Sequence, residues 1–389
     1  MERTSYLAMV FLVASITLSG CLFFEEAEIE EEWLSLKEFY DGFNSPWSLE
    51  FVPETDLVLV TEKEGDLSIF NKSDASVGYV EGVPEVYDGG QGGLLDVETH
   101  PDFSENGFIY LTFSGENNEG AATHLGRGVL DLENFVLEDF EVLHVAEPFV
   151  RGGSHFGSRI TFDEDNNVYF TVGDRGEKDF GPDHVSQNLS NELGTTIRLE
   201  EDGSIPDDNP FVENSSLKDS IYSYGHRNSQ GMTTHPEKGE IWQSEHGEED
   251  GDEINVLEKG GNYGWPITHY GCHYGTNDPV GDYPHENPGV VNPVYYWECN
   301  SGGFPPAGIT FYTGDYSEWN GDLFVSGLAS NYLARFSIEE EGDNLVLTEE
   351  EGLLKEQGWR VRDVEEHSDS LYVVTDGGRF VKISPNNTS

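Results

Sequence analysis

The sequence predicts an all-β fold, a six-bladed β-propeller, and two features of its apolar pattern favour that class. After the N-terminal region, no long stretch has the apolar spacing of an amphipathic helix. Short apolar and aromatic runs recur instead between clusters of Gly, Asp and Asn, which is typical of strands separated by turns. Six of these runs share one form, in which a turn leads into a strand with alternating or fully apolar residues.

The six runs cover residues 56–61, 107–112, 167–172, 240–245, 322–327 and 370–375. Their spacing of roughly 50 to 80 residues suits one propeller blade each. Radial stacking of such sheets buries each face against a neighbour, which a single sheet cannot do. We expect residues 48–51 and 378–383 to close the ring by sharing a blade, and residues 264–303 to form the largest insertion. A pair of β-sandwiches is the rival fold, and the regular repeat disfavours it.

Residues 1–21 have the features of a secretory signal. Arg3 precedes an apolar run that is too short to span a bilayer, and the small residues Ser19 and Gly20 lead to Cys21. Leu18-Ser19-Gly20-Cys21 resembles a lipobox, in which Cys21 becomes lipidated. A plain cleaved signal is the alternative.

An acidic tether over residues 22–36 is expected to follow, and residues 37–389 would form the propeller domain. The protein is therefore expected to be exported and held at the extracellular face of the cell membrane by a lipid anchor alone. Because it would be a secreted protein, the remaining pair Cys272 and Cys299 is interpreted as a disulfide. The alternative is a metal site, although no close Cys-x-x-Cys spacing supports it.

The charge balance is strongly acidic, with 75 acidic and 20 basic residues and a formal net charge of −55. Such a chain repels polyanions, so nucleic acid is excluded as the default partner. Self-repulsion destabilises a compact fold at low ionic strength, whereas molar salt screens it within roughly 3 Å. We therefore predict a halophilic source.

Three glycine-rich segments, residues 225–231, 242–247 and 260–266, carry the clearest functional pattern. Glycine lets the backbone approach a ligand, while the Arg, Asn and His among them supply a fixed charge, a paired donor and acceptor, and a proton carrier. In order and spacing these segments resemble the soluble quinoprotein glucose dehydrogenase and aldose sugar dehydrogenase family, over roughly residues 43–383. The resemblance implies oxidation of aldose sugars at C1 to the lactone with pyrroloquinoline quinone (PQQ) and calcium, electrons passing to an external acceptor.

His155 is the candidate general base. A neutral imidazole can take a hydroxyl proton near pH 7, and the small residues around His155 leave room for a substrate. A lone histidine is more often polar packing, but the resemblance implies that this one is the base. Arg227 and Asn228 suit stabilisation of the negative charge that hydride transfer creates, with a salt bridge inside the turn as the structural alternative.

Arg360 and Arg362 alternate along a predicted strand and should point to one face, where together they could bind a carboxylated ligand. PQQ has three carboxylates. By the resemblance, Gln91 in its Gly-rich turn contacts the cofactor, and His246 occupies a cofactor-binding position where a glutamine is common. The segment 326–331 lacks a lysine that contacts the cofactor in many relatives, and Ser154 stands in place of an acid.

Calcium is implied at two places by the same resemblance. The Gly247-Glu248 pair matches a Gly-Pro pair whose carbonyls hold the calcium at the cofactor, so Glu248 replaces the proline. Glu253 and the carbonyl of Tyr263 match a second calcium site, and hard cations favour such oxygen ligands. A solvated acidic loop is the alternative interpretation of this segment.

Two other functions remain open from the sequence. A calcium-dependent lactonase would need a metal at the channel centre held by carboxylate and Asn side chains. A non-catalytic propeller that binds sugars or surfaces is the second alternative. The sequence does not fix the oligomeric state, and a homodimer is one of the states considered.

Overall fold

The computed structural model describes residues 28–31, 34–342 and 344–386. The backbone of these residues forms six antiparallel sheets. Strands β1 (Glu28–Glu31) and β2 (Leu34–Tyr40) come first along the chain and belong to the sheet that is completed last. The predicted signal segment, Cys21 and the start of the predicted tether lie outside the described residues. No helix within the described residues has the length and apolar character needed to cross a membrane.

Five of the sheets contain four strands, and they follow one another along the chain. Blade 1 comprises β3 (Pro46–Phe51), β4 (Leu57–Glu62), β5 (Leu67–Asn71) and β6 (Ser76–Tyr79). Blade 2 comprises β7 (Leu94–Thr99), β8 (Phe108–Glu116), β9 (Ala121–Asp131) and β10 (Val136–Val145), with the short helix α1 (Phe103–Asn106) between its first two strands. Blade 3 comprises β11 (Ile160–Phe162), β12 (Val168–Val172), β13 (Thr195–Leu199) and β14 (Ile221–Tyr224).

The remaining blades continue this order. Blade 4 comprises β15 (Ser229–Thr234), β16 (Ile241–Glu245), β17 (Glu253–Val256) and β18 (Tyr295–Tyr296). Blade 5 comprises β19 (Pro306–Phe311), β20 (Leu323–Gly327), β21 (Leu333–Glu341) and β22 (Asn344–Leu353). Blade 6 comprises β23 (Val361–His367), β24 (Ser370–Thr375) and β25 (Phe380–Pro385), joined by β2 and β1. Two 3₁₀ turns lie at Val185–Gln187 and Pro284–Glu286.

The first strands of the six blades form a closed inner ring. Each contacts the first strand of the next blade, from β3 through β7, β11, β15, β19 and β23 and back to β3. This arrangement confirms the predicted six-bladed β-propeller. The six repeated runs of the sequence form the second strand of each blade, namely β4, β8, β12, β16, β20 and β24.

Closure of the ring differs from the expectation. Strand β25 pairs with β24 on one side and with β2 on the other, so that Leu36 lies opposite Ile383. Residues 48–51 belong to β3 and pair with β4 in blade 1, so the expectation that they share a blade with residues 378–383 is wrong. The physical reason is burial: Leu34 and Leu36 are only 1% and 2% exposed and pack in one cluster with Ile383. Strand β2 thus begins inside the range assigned to the tether.

A guanidinium occupies the middle of the central channel. Arg159, which precedes β11, contacts Asp96 of blade 2 at 3.0 Å and Asp363 of blade 6 at 2.9 Å. It also donates to the carbonyl of Gln230 in blade 4 and lies over the ring of Trp47 in blade 1. Arg159 therefore joins five blades, and it fills the position where the lactonase interpretation needs a metal.

The large insertion expected over residues 264–303 lies between β17 and β19 and contains the two-residue strand β18. Cys272 and Cys299 form a disulfide that fastens it. The backbones of Cys272 and Glu249 pair in both directions, so the insertion also supports the chain that follows β16. The disulfide thereby braces one wall of the region described next.

Candidate functional site

One cavity of about 300 Å³ lies at the end of the propeller where the inner strands begin. All six blades, or the loops leading into them, contribute to its wall, and its volume is at the lower end of the range for ligand pockets. Gln91, His246, Arg360 and Arg362, all expected at a cofactor, line it directly. The other lining residues are Trp47, Lys63, Leu95, Phe156, Gly157, Gln230, Pro305, Leu328 and Ala329.

His155 lies beside this cavity and is oriented by a carboxylate. Its Nδ1 is 2.6 Å from Oδ1 of Asp174, and its backbone N–H donates to Oε1 of Gln91 at 2.6 Å. Burial alone would raise the pKa of Asp174, but the hydrogen bond with His155 and the positive charges nearby hold it below its usual value. An ionised Asp174 places the imidazole proton on Nδ1, which leaves the lone pair of Nε2 available as a base.

The Asp174 carboxylate is itself held from a second side. Its Oδ2 accepts a hydrogen bond from Nε1 of Trp265 at 2.9 Å, and its backbone N–H donates to the carbonyl of Arg227 at 2.8 Å. Asp174 is only 1% exposed. Because its contacts come from blades 3 and 4, the orientation of His155 depends on the docking of these two blades.

The loop that carries His155 is backbone-strained and clamped. His155 has a φ of 49°, in the left-handed region that non-glycine residues rarely adopt. Arg175 donates to the carbonyls of Ser154, Gly152 and Ala121 and packs on the ring of Phe156 at 3.6 Å. Burial lowers the pKa of Arg175 to about 10. By binding these three backbone carbonyls, Arg175 stabilises the loop conformation in which the imidazole of His155 lies beside the cavity.

Arg227 is buried and forms an ion pair. Its Nη2 lies 2.7 Å from Oε2 of Glu248, and its guanidinium lies 5.2 Å from the ring centre of Trp265. Both oxygens of Glu248 also accept from Nζ of Lys178 at 2.7 Å. Burial would raise the pKa of Glu248, but Lys178 and Arg227 together lower it. Arg227 thus forms a salt bridge, but with Glu248, 21 residues away, and not inside its own turn as the structural alternative expected.

Asn228 supports the cavity wall from behind. It is 1% exposed, and its Oδ1 accepts from the backbone N–H of Gly157 at 3.2 Å. Its carbonyl accepts from the backbone N–H of His246. His246 in turn hydrogen-bonds through Nε2 to the carbonyl of Pro306 at 2.6 Å, and burial lowers the pKa of His246 to about 3. A neutral imidazole is therefore presented to the cavity.

Arg360 and Arg362 point to the same side, as the alternation predicts. Both share one carboxylate that the sequence did not single out: Nε of Arg360 lies 2.7 Å and Nε of Arg362 2.9 Å from the two oxygens of Asp376. Arg362 is the more buried, with a side chain 15% exposed against 46% for Arg360. Burial would raise the pKa of Asp376, but Arg362 and Arg360 lower it.

Glu253 and its neighbours offer oxygen ligands for a cation. Glu253 lies opposite Glu245 across strands β16 and β17, and burial together with that charge raises its pKa well above the usual value. Among the described residues, the close polar contacts of the Glu253 side chain are Asn255 at 3.4 Å and His269 at 3.6 Å. Oδ1 of Asn255 is buried and has no hydrogen-bond partner among the described residues.

A hard cation would satisfy these groups, and Tyr263 lines the same small cavity as Glu253. The described residues contain no group of three or more His, Cys, Asp or Glu side chains arranged for a metal. At the other predicted place, the Glu248 carboxylate is already bound to Arg227 and Lys178, which leaves backbone carbonyls. Gly247 donates its N–H to Asp252 there.

The model of the glucose/sorbosone dehydrogenase family matches residues 43–382. The chain belongs to this family. It is 34% identical to an aldose sugar dehydrogenase, YliI, of Escherichia coli K12 over 392 residues, covering all of both chains. It is 31% identical to quinoprotein glucose dehydrogenase B of Acinetobacter calcoaceticus over 260 residues, covering 62% of this chain and 54% of the relative.

Solved structures agree with the assignment. The apo form of the soluble aldose sugar dehydrogenase of Escherichia coli superposes with a TM-score of 0.83 at 34% identity, covering 91% of this chain and all of that one. The PQQ-bound aldose sugar dehydrogenase of Streptomyces coelicolor gives a TM-score of 0.73 at 25% identity, covering 91% and 98%. The family and these relatives support an oxidoreductase that acts on sugars.

Sequence reasoning gave no site role to four residues of this family member: Lys63, Asp174, Trp265 and Asp376. Three of them share a position in the repeat. Lys63, Asp174 and Asp376 each follow the second strand of a blade within two residues, as His246 does after β16. The second strands therefore end at the cavity, and an alignment of the six repeated runs would have found these polar residues.

Proposed function

We propose that this protein oxidises aldose sugars at C1 to the lactone with PQQ and calcium and passes the electrons to an external acceptor, a quinone or a redox protein. The observation that carries the proposal is a histidine oriented by a buried carboxylate beside a cavity rich in positive charge. Oxidation of a sugar hydroxyl needs a base that accepts its proton, and binding of a tricarboxylate cofactor needs positively charged side chains. Membership in the sugar dehydrogenase family supports both requirements.

His155 acts as the base. Its Nε2 accepts the C1 hydroxyl proton, and the ionised Asp174 stabilises the imidazolium that results. PQQ supplies the two-electron acceptor for the hydride, and calcium supplies a Lewis acid. Arg227 and Asn228 would stabilise the negative charge that develops, and Arg227 is held for this by a buried carboxylate and an aromatic ring.

The cofactor would be held by Gln91, His246, Arg360 and Arg362. The cavity of about 300 Å³ contains two guanidinium groups that share one carboxylate, so its wall keeps a net positive charge. Arginine binds carboxylates in a bidentate manner, which suits an anionic planar ligand. Calcium would lie near the Gly247-Glu248 carbonyls and, at a second place, with Glu253 and Tyr263.

An aromatic surface that is connected to His155 through Trp265 and Asp174 suits a sugar substrate. Phe180 stacks on His273 with ring centres 5.2 Å apart and packs edge-on against Trp265, which contacts Asp174. Tyr274, next to His273, is 63% exposed. Aromatic faces with a few polar groups are the usual lining of sites for small organic ligands.

The deciding experiment is reconstitution of the purified protein with PQQ and calcium in molar salt. With a panel of aldose sugars, we expect sugar-dependent reduction of an acceptor dye with formation of the lactone, and no reduction without PQQ. Chelation should abolish activity while the far-ultraviolet dichroism remains that of a β protein. Full activity after exhaustive chelation, or none after loading, would contradict the proposal.

For the cellular location we propose export and lipid attachment at Cys21. Replacing Cys21 by Ser should move the protein from the membrane fraction to the soluble fraction without changing the fold, since lipid would be its only apolar attachment. Unchanged membrane partition of the variant would contradict this proposal.

A further inference from the structure

Lys63 is a cation in the cavity that no sequence motif marks. It follows strand β4 of blade 1, whereas Arg360 and Arg362 come from the start of blade 6, and all three line the same cavity. The chain has 20 basic residues against 75 acidic ones. Three of these 20 basic residues therefore line one cavity of about 300 Å³.

Carboxylates of the protein balance the charges of these three side chains only in part, since Asp376, Glu64 and Asp88 act on Lys63 without forming an ion pair with it. Arg360 and Arg362 share the single carboxylate of Asp376. Nζ of Lys63 donates to the carbonyl of Gly90 at 2.8 Å, and it forms no ion pair within the part of the chain that the structure describes. Burial and the positive charge of Arg362 lower the pKa of Lys63. An anion in the cavity would relieve this repulsion.

The backbone of Lys63 is fixed in place. Its N–H donates to the carbonyl of Ser45 at 3.2 Å, and its carbonyl accepts from the N–H of Leu94 at 3.1 Å. Gly93, with a φ of 149°, packs so closely that a Cβ there would overlap this carbonyl. The side chain thus projects from a rigid turn next to the Gly90–Gln91 segment, and little ordering is needed when it binds a ligand.

We propose that Lys63 binds a carboxylate of the cofactor and so supplies, from blade 1, a cation in place of the lysine that segment 326–331 of this chain lacks. The proposal rests on the function proposed above. Lys63, Arg360 and Arg362 would then meet a tricarboxylate with three cations from two blades.

The test measures binding of PQQ to the calcium-loaded apoprotein by calorimetry or fluorescence quenching, without turnover. Lys63→Met removes the charge and the hydrogen bond to Gly90, whereas Lys63→Gln keeps an N–H donor and removes only the charge. Both should raise the Kd for PQQ by roughly 10-fold, the scale of one charge-assisted hydrogen bond. Lys63→Arg should stay within about 2-fold of the wild type, because a cation is retained.

Lys72→Met is the matched control. Lys72 follows β5 at the opposite end of the same hairpin and lies over the ring of Phe51, so the control removes an equal charge from the same blade. Its Kd should equal that of the wild type. Wild-type affinity in Lys63→Gln would overturn the role of the Lys63 charge and leave the proposed function intact. Failure of the wild-type protein itself to bind PQQ would overturn both.

Discussion

Arg227 and Glu248 form a buried ion pair, with Nη2 of Arg227 2.7 Å from Oε2 of Glu248 and both side chains about 5% exposed or less. The pair joins the segments before β15 and after β16. In relatives the family resemblance places a proline at position 248, so here a carboxylate balances the arginine. The positive charge that we assign to the reaction is therefore held in place by the protein.

Replacing Glu248 by Gln should destabilise the propeller by about 3 kcal/mol, because it leaves a buried guanidinium without its counter-ion. Urea unfolding at fixed salt measures the change. Glu237→Gln, at an exposed site, removes the same charge and should leave the midpoint unchanged. Equal midpoints for both variants would show that Arg227 does not need Glu248.

Replacing His155 by Ala, or Asp174 by Asn, should lower kcat by roughly 100-fold or more while PQQ still binds normally. The first change removes the base, and the second removes the charge that orients it and stabilises its protonated form. Steady-state kinetics and a PQQ titration separate the two effects. Asp179→Asn, on the exposed part of the same loop, serves as the control. Near-normal turnover in either site variant would remove that residue from the mechanism.

Arg362→Ala should weaken PQQ binding more than Arg360→Ala, since the Arg362 side chain is the more buried of the two. Loss of a buried charged partner costs about 2 to 5 kcal/mol, and the exposed position of Arg360 reduces its share. Arg151→Ala, at an exposed site, controls for net charge. Identical titration curves for all three variants and the wild type would contradict the assignment.

Raising the pH from 5.5 to 8 should lower stability. Burial raises the pKa of Glu50 to about 7 and of Asp96 to about 6, both in the channel around Arg159. A raised folded-state pKa means that the stabilising contribution is present at low pH and is lost as the pH rises through 6 to 7. Carboxylates with a lowered pKa, such as Asp376, have the opposite effect: their contribution to stability is lost as the pH falls, and this loss begins only below the usual pKa of a carboxylate.

The thermal midpoint measured across this pH range tests the channel groups. Glu50→Gln should flatten the decline, whereas Glu138→Gln, on the exposed face of β10, should retain it. The same slope in Glu50→Gln and the wild type would show that Glu50 does not titrate in this window.

Lowering the salt concentration should unfold the protein even with calcium present. At roughly 10 mM salt the screening length reaches about 30 Å, so the net charge of −55 repels itself across the whole molecule. A salt titration followed by far-ultraviolet dichroism measures the transition. A stable fold at 10 mM salt would contradict the halophilic interpretation.

The repeat architecture was predictable because each blade needs one largely buried strand between turns, and the sequence marks all six of these strands with alternating or fully apolar runs. Strand β2, which closes the ring, was not predicted from the sequence. Leu34 and Leu36 alternate within an acidic stretch, and the charge of that stretch favoured a tether. The roles of Asp174 and Asp376 were not predicted, for a different reason. Their partners His155 and Arg362 lie 19 and 14 residues away and meet them only when the sheets form. The candidate base and the paired arginines, by contrast, lie in recognisable motifs.

The pairing of β2 with β25 sets the order in which the molecule can be completed. Residues 34–40 emerge early during synthesis, and their partner strand at residues 380–385 is made only after all other blades. Until then blade 6 lacks the strand that joins β24 to β2, although Asp363, the partner of Arg159, has already been made in β23. A chain shortened before residue 380 would therefore keep every residue that lines the cavity but expose unpaired edges on β2 and β24, so its fault would be aggregation through these edges.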